Sequence, residues 1–195
     1  MKPIKTIGLI SGLLISMISF AQGESSWQLN EQLSSISFQS VKNGQVVENH
    51  QLSLVNWTIS EQGEATVDIA LGSINSGIEI RDERMQEHLF EVTKFPIATV
   101  KNKVKLDDIP LNTPVILDAE MQLSLHGVTK AIQVKLAVTR TEKSIQISTQ
   151  NPYLLNANDF GLGAGVDKLQ EIAKLNIIAK TVPVHFTTVF EKLMK

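Results

Sequence analysis

The sequence predicts an all-β, mainly antiparallel protein, an up-and-down barrel of about eight strands with one or two short helices. Three observations carry that prediction. Apolar and polar residues alternate with a period of two through most of the chain beyond its N-terminal apolar run, the mark of strands with one dry and one wet face. Turn residues interrupt the alternation at Asn43-Gly44, Glu61-Gln62-Gly63 and Asp107-Asp108-Ile109-Pro110, so that successive strands are neighbours joined by short reversals. The composition, 43% hydrophobic and 19% charged over 195 residues with 11 Gly and 6 Pro, is that of an ordinary globular chain, neither disordered nor fibrous. Closing such a sheet on itself removes its unpaired edges.

In chain order, Ile36 and Phe38 open the alternation. From Gln45 to Ile59 it is less clean: Leu52 and Leu54 share one register and Val55, Trp57 and Ile59 the other, which a β-bulge explains. Ala65, Val67, Ile69 and Leu71 form the next apolar face. Between Ile80 and Phe90 the residues are helix formers, with Met85 and Leu89 spaced to share one face of a short helix. Ala98, Val100, Val104 and Leu106 resume the strand period. Val115, Leu117, Ala119, Met121, Leu123 and Leu125 then alternate with polar residues up to His126, and Val128, Ile132, Val134, Leu136 and Val138 form the returning face, so His126-Gly127 is the turn of a long hairpin. Ile145 and Ile147 belong to a further strand. Val166, Leu169, Ile172 and Ala173 recur at helical intervals after the glycine-rich Gly161 to Gly165. Val182, Val184, Phe186 and Phe190 close the series. No repeat, low-complexity tract or linker interrupts this order, so one domain over residues 22–195 is expected.

The first 21 residues read as an address. Lys2 and Lys5 precede an uncharged apolar run from Ile7 to Phe20, and Ser19 and Ala21 are the small residues of a signal-peptide cut after Ala21. At about 14 residues the run is short of the roughly 20 that a spanning helix needs. The mature chain is therefore expected in the periplasm, its formal charge falling from -2 to -4 with the loss of the two lysines. No block of like charge offers a nucleic-acid footprint. The absence of cysteine excludes disulfides, thiolate metal sites, thiol catalysis and a lipid-anchored N-terminal Cys, so stability rests on burial.

Residues for chemistry are few. His50, His88, His126 and His185 are scattered, with no His-x-His or His-Glu-x-x-His pair, so no metal site is expected. His88 lies beside Glu87 and near Glu91, but adjacent helical positions do not face each other, and a solvated histidine is the simpler reading than an acid-base pair. No Gly-x-Ser-x-Gly elbow accompanies it. Gly161 to Gly165 is no phosphate loop, since Val166 stands where the third glycine would fall and no parallel β-α-β context surrounds it. Asn56-Trp57-Thr58 fits a glycosylation acceptor but falls in a strand.

The inward face is more informative. It holds aliphatic and small residues such as Ala65, Ala98 and Ala119, few Phe and no buried charge, and suits either a slot for one apolar ligand or a packed core. Pattern alone leaves both open, because it does not count volume.

Four stretches carry a resemblance. Ser73-Ile74-Asn75-Ser76-Gly77, followed by Arg81-Asp82-Glu83-Arg84-Met85-Gln86-Glu87-His88-Leu89-Phe90 and Lys94-Phe95-Pro96-Ile97-Ala98-Thr99, resembles the signature of the YceI-like family of exported lipid-binding proteins. Leu123-Ser124-Leu125-His126-Gly127-Val128-Thr129-Lys130 is similar to that family's hairpin, Asn158-Asp159-Phe160-Gly161-Leu162 to its late Asp-Phe-Gly element, and Trp27 to Phe38 to its opening strand. Two stretches depart from it: Val47 to Trp57 lacks the usual Gly-x-Phe spacing, and Val166 to Val184 is longer than in the plainest members.

The resemblance implies a lipocalin-like barrel holding a long amphipathic lipid, an isoprenoid or quinone-like chain carried as cargo rather than as a cofactor, and no catalytic residues. The inward residues expected to grip the tail are Phe38, Val67, Ile69, Val100, Leu117, Met121, Leu123, Val134, Leu136 and Phe186. The charged groups flanking one barrel end, Arg81, Asp82 and His88, are the candidates for the head group. Storage or transport of the lipid, transient contact with a membrane or membrane protein, and a homodimer belong to the same expectation. The alternatives are a packed-core module that binds another exported or membrane protein, and an enzyme acting on a lipophilic substrate through His88.

Overall fold

The structure, a computed structural model, describes residues 27–59, 63–103 and 106–193. The signal-peptide reading of residues 1–21, Glu61-Gln62 of the second turn and Val104 lie outside the described residues.

Ten antiparallel strands form one sheet: β1 (Trp27–Leu29), β2 (Ser35–Lys42), β3 (Val46–Ile59), β4 (Glu64–Asn75), β5 (Ile97–Lys103), β6 (Val115–Leu125), β7 (Val128–Arg140), β8 (Ser144–Thr149), β9 (Tyr153–Asn156) and β10 (Thr181–Lys192). From β2 to β8 each strand pairs with the next in sequence. β10 closes the ring, pairing with β1 and β2 on one side and with β8 and β9 on the other. Because β1 and β2 follow one another along β10, as do β8 and β9, each couple makes a single interrupted stave, and the barrel has eight staves built from ten strands. The expected opening strand is thus two: Asn30 breaks it, its Oδ1 accepting from the backbone N–H groups of Gln32 and Leu33.

The long hairpin forms in the register that alternation requires, Leu125 opposite Val128 and Val115 opposite Val138. Both turn residues have positive φ, 51° at His126 and 78° at Gly127, the pair of left-handed conformations that lets a two-residue turn follow the strand twist. A β-carbon at residue 127 would stand 3.0 Å from Phe95 Cε1, so the turn also needs glycine for space. His126 Nε2 lies 3.0 Å from Glu91 Oε2. Hydrogen bonds from Lys94 and His126 hold the Glu91 carboxyl below the usual carboxylate range.

The irregular strand owes its broken pattern to two register shifts against β4. Between Leu54 opposite Ile69 and Asn56 opposite Asp68, β3 carries one extra residue, Val55, which moves the inward register from Leu54 to Trp57 and Ile59. Between Gln51 opposite Asn75 and Ser53 opposite Ala70 the surplus lies on β4. β5 ends at Lys103, and Leu106 belongs to a 3₁₀ turn, Leu106–Asp108, rather than to the strand.

Both helices lie at one end of the barrel. α1 (Glu79–Arg84) continues into a π-helical turn, Met85–Leu89, in which Phe90 N–H reaches the Met85 carbonyl at 2.9 Å and Met85 and Leu89 are buried. α2 (Gly163–Ile172) starts within the glycine run. There a β-carbon at Gly165 would stand 2.5 Å from the His88 carbonyl oxygen and 2.9 Å from Leu89 Cα, so glycine lets α2 settle backbone to backbone on the π turn. Phe160, almost wholly buried, anchors the loop before α2 beneath Lys130, whose Nζ is 5.9 Å from its ring.

Candidate functional site

The barrel interior is hollow in two places. The upper lobe, at the helical end, has a volume of about 140 Å³. Its walls come from every stave, and Leu89, Phe90, Leu162 and Val166 of the helical cover close it from above. The lower lobe holds about 100 Å³ and reaches Ile59, Leu106, Leu136 and Phe190. Ile36, Ile69, Val100, Met121 and Phe186 line both, so the lobes share a waist. Among the described residues no charged side chain lines either. Tyr153 is the upper lobe's polar-tipped residue, and burial pushes its hydroxyl above the usual tyrosine range. On β10 the lining runs from Val182 to Phe190, about 26 Å of strand at 3.3 Å per residue. The lower lobe adds the polar Thr58, Asn102 and Thr188, but the lining of both is mainly aliphatic and aromatic, so a space of this shape suits a chain-like apolar molecule.

Above the upper lobe a groove of about 410 Å³ opens between α1, α2, the β2–β3 pair and the segment leading into β10. Phe38, Leu89, Val166, Ala179 and Val182 wall both spaces, so the groove continues into the lobe. Its apolar side is Ile78, Ile80, Leu169 and Ile172, and its polar side Lys42, His50, Arg81 and Arg84. Glu48, opposite Ser40 on the β2–β3 ladder, pairs with Lys42 through one oxygen and with Arg81 Nη2 through the other at 2.9 Å. His50, 1% exposed, has Nε2 2.8 Å from Ser40 Oγ and its ring 4.9 Å from that of Phe38. Burial pushes the imidazole below its ordinary pKa; Glu48 opposes this and the Arg81 and Lys42 charges add to it.

Of the residues expected to hold the tail, Phe38, Leu123 and Val134 line the upper lobe, Val67 and Leu136 the lower, and Ile69, Val100, Met121 and Phe186 both. Leu117 lines neither. It is 38% exposed, on the part of β6 that lies beyond the residues paired with β5. Arg81 lines the groove, but Asp82 and His88 do not. Asp82 Oδ1 accepts from the Ser76 backbone N–H at 2.8 Å and fixes the approach to α1. His88 lies on the π turn under Gly165, with Nε2 3.7 Å from Glu87.

The sequence reading missed Glu48 and His50. It found no charge on the inward face, yet both occupy the inward register of β3 with Leu52, opposite Ser40 and Phe38. A charged and a titratable residue continuing an apolar register was the signal available. Lys42 and Arg84 carried none, because folding alone brings the end of β2 and the end of α1 to one groove.

The YceI-like domain family matches residues 27–190. No curated protein matches the chain. Among solved structures, a polyisoprenoid binding domain from Saccharophagus degradans, implicated in plant cell wall breakdown, is 34% identical over 87% of this chain and 100% of its own, with a TM-score of 0.83. BcnA of Burkholderia cenocepacia shares the fold at 17% identity, over 83% of this chain and 99% of its own, with a TM-score of 0.65. The eight-stave barrel, the helical cover over its upper lobe and a family match that runs from β1 into β10 agree: this chain belongs to the YceI-like domain family.

Proposed function

We propose that the protein binds a long-chain isoprenoid or related amphipathic lipid inside the barrel, with its tail threaded through the two lobes. The observation that carries this is the pair of adjoining interior spaces that, among the described residues, no charged group lines. The polyisoprenoid binding domain, similar over its whole length, supports the same ligand class. Each CH₂ moved from water into such a space contributes about 0.8 kcal/mol, so an isoprene unit gives about 4 kcal/mol. A few units offset an association cost on the order of 4–15 kcal/mol.

In this reading the protein is a binder that stores or carries lipid, not an enzyme. His88, the residue an acid-base mechanism would use, lies outside both the cavity and the groove. The leader at residues 1–21 supports export and work in the periplasm, where a soluble shield for an isoprenoid tail has a use. Loading would involve transient contact with a membrane or a membrane protein.

The test is to purify the protein from the compartment it reaches, compare its native with its denatured mass, and identify any lipid extracted. The expected result is one isoprenoid-class molecule per chain. A protein that is empty as isolated, and stays empty when offered polyprenyl and quinone lipids, would favour a packed-core module that binds other proteins.

A further inference from the structure

We propose that Leu106 is the stop that sets how long an isoprenoid tail the barrel accepts, and that Arg140 is the positioning residue that holds it there. This rests on the tail-binding reading and adds to it a chain-length preference within the same ligand class.

Three observations support it. First, Leu106 closes the lower lobe from outside the sheet. Among the described residues that line this lobe it is the one that no strand carries, since it belongs to the 3₁₀ turn Leu106–Asp108. β5 runs from Ala98 in the upper lobe to Asn102 in the lower, and Leu106 lies beyond its end. A tail that passes the waist therefore reaches Leu106 last.

Second, the backbone ladder does not place this turn. β5 and β6 pair through three residues only, Thr99 to Lys101 with Ser124 to Gln122, and the turn lies in the connection between them, past the last rung. Packing ties it to the core through Ile109, 4% exposed, and the half-buried Leu106.

Third, one side chain does place it. Arg140 ends β7, and its Nη1 donates to the Leu106 carbonyl and, at 3.4 Å, to the Ile109 carbonyl. Its own carbonyl accepts from the Asn112 N–H at 2.7 Å. The Asp107 carboxylate, 3.5 Å from Nη2, sits on an almost fully exposed side chain, where water screens the pair. Arg140 Nε is buried without a partner among the described residues. A guanidinium withdrawn from water to grip two carbonyls of a turn, with one N–H left open, is costly. What it fixes is the residue at the end of the cavity. The consequence is a limit: tail carbons gain burial until the lower lobe is full, and further units stay outside and add nothing.

The test titrates delipidated protein with a series of polyprenols that lengthens from geraniol by one isoprene unit at a time. Wild-type affinity is expected to rise with each unit and then level off. Leu106→Ala moves the levelling-off to a longer chain and tightens long polyprenols by up to about fiftyfold, the effect of burying three more tail carbons. Leu106→Phe moves it to a shorter chain and weakens long polyprenols by about tenfold, as the ring displaces about two tail carbons. Arg140→Met, which has no donor to offer, also moves it to a longer chain, and Arg140→Lys restores part of the wild-type limit. The shortest polyprenol that binds is held equally by all four variants, because its tail fits within the upper lobe. If Leu106→Ala does not fold, Leu106→Phe carries the test by itself. A wild-type series that never levels off, or a levelling-off length that neither Leu106 variant moves, overturns the stop and leaves the tail reading standing. Affinity lowered alike at every length overturns it too, since a turn that merely supports the fold would behave so. A length that the Leu106 variants move and Arg140→Met does not overturns the part assigned to Arg140. If no polyprenol binds the wild type, the tail reading is refuted and the stop falls with it.

Discussion

Replacing Ala98 by leucine distinguishes an open interior from a filled one by the sign of its effect. Ala98 is buried on β5 opposite Ile69 and lines the upper lobe. The substitution adds three carbons to a space of about 140 Å³. At about 0.8 kcal/mol per carbon the full transfer term is about 2 kcal/mol, and lost rotamer freedom reduces it to about 1–2 kcal/mol. For a domain of this size that raises Tm of the lipid-free protein by roughly 3–6 °C. The same carbons displace a stretch of lipid tail, so affinity for a polyprenyl probe falls by about 2 kcal/mol, or about 30-fold. Thermal melts of delipidated protein and titration with a fluorescent polyprenyl lipid measure the two effects. A lowered Tm, from the destabilisation of about 1–3 kcal/mol that overpacking causes, with lipid affinity unchanged, would mean that the interior is filled core and that the cavity reasoning is wrong.

Three further outcomes are expected. Gly165→Ala, a change that ordinarily stabilises a helix interior by up to about 1 kcal/mol, is expected to destabilise this protein by about 2 kcal/mol or more and to lower Tm, because its β-carbon meets the His88 and Leu89 backbone of the π turn; a raised Tm would show that α2 does not rest there. Leu117 and Leu136 face each other across β6 and β7, but only Leu136 is buried, so urea denaturation should give a loss of about 2–5 kcal/mol for Leu136→Ala and under about 1 kcal/mol for Leu117→Ala; equal losses would mean that the wall extends past Leu117. His50 titrates at its ordinary 6.5 in the unfolded chain and lower in the folded one. The unfolded state therefore takes up the proton first as pH falls, and stability is lost between 6.5 and the folded pKa. Urea midpoints for the wild type and His50→Asn across that window should converge as pH falls, and a constant gap would refute the burial of a neutral imidazole.

Much of this protein was legible in its sequence. A period of two exposes the residues that face the interior of β4, β6, β7 and β10, because a strand's two faces meet two different solvents and selection on burial acts on each separately. It also revealed the irregularity of β3, though not that Val55 is the extra residue or that β4 bulges as well. His126-Gly127 marked its own turn, since few residue pairs accept two positive φ angles in succession.

What sequence alone left open was whether the inward face encloses space, because side-chain identities fix which atoms face inward but not whether their volumes sum to the room between the staves. The tertiary structure decided that, leaving two lobes joined at Met121 and Phe186. It also decided the groove. Lys42, His50, Arg81 and Arg84 lie on β2, β3 and α1, separated along the chain by most of two strands, and no local pattern records that the barrel's closure and the seating of α2 bring them together. Local periodicity reports on burial, a property each residue has by itself; a binding site is a property of distances between residues, and only the folded chain sets those.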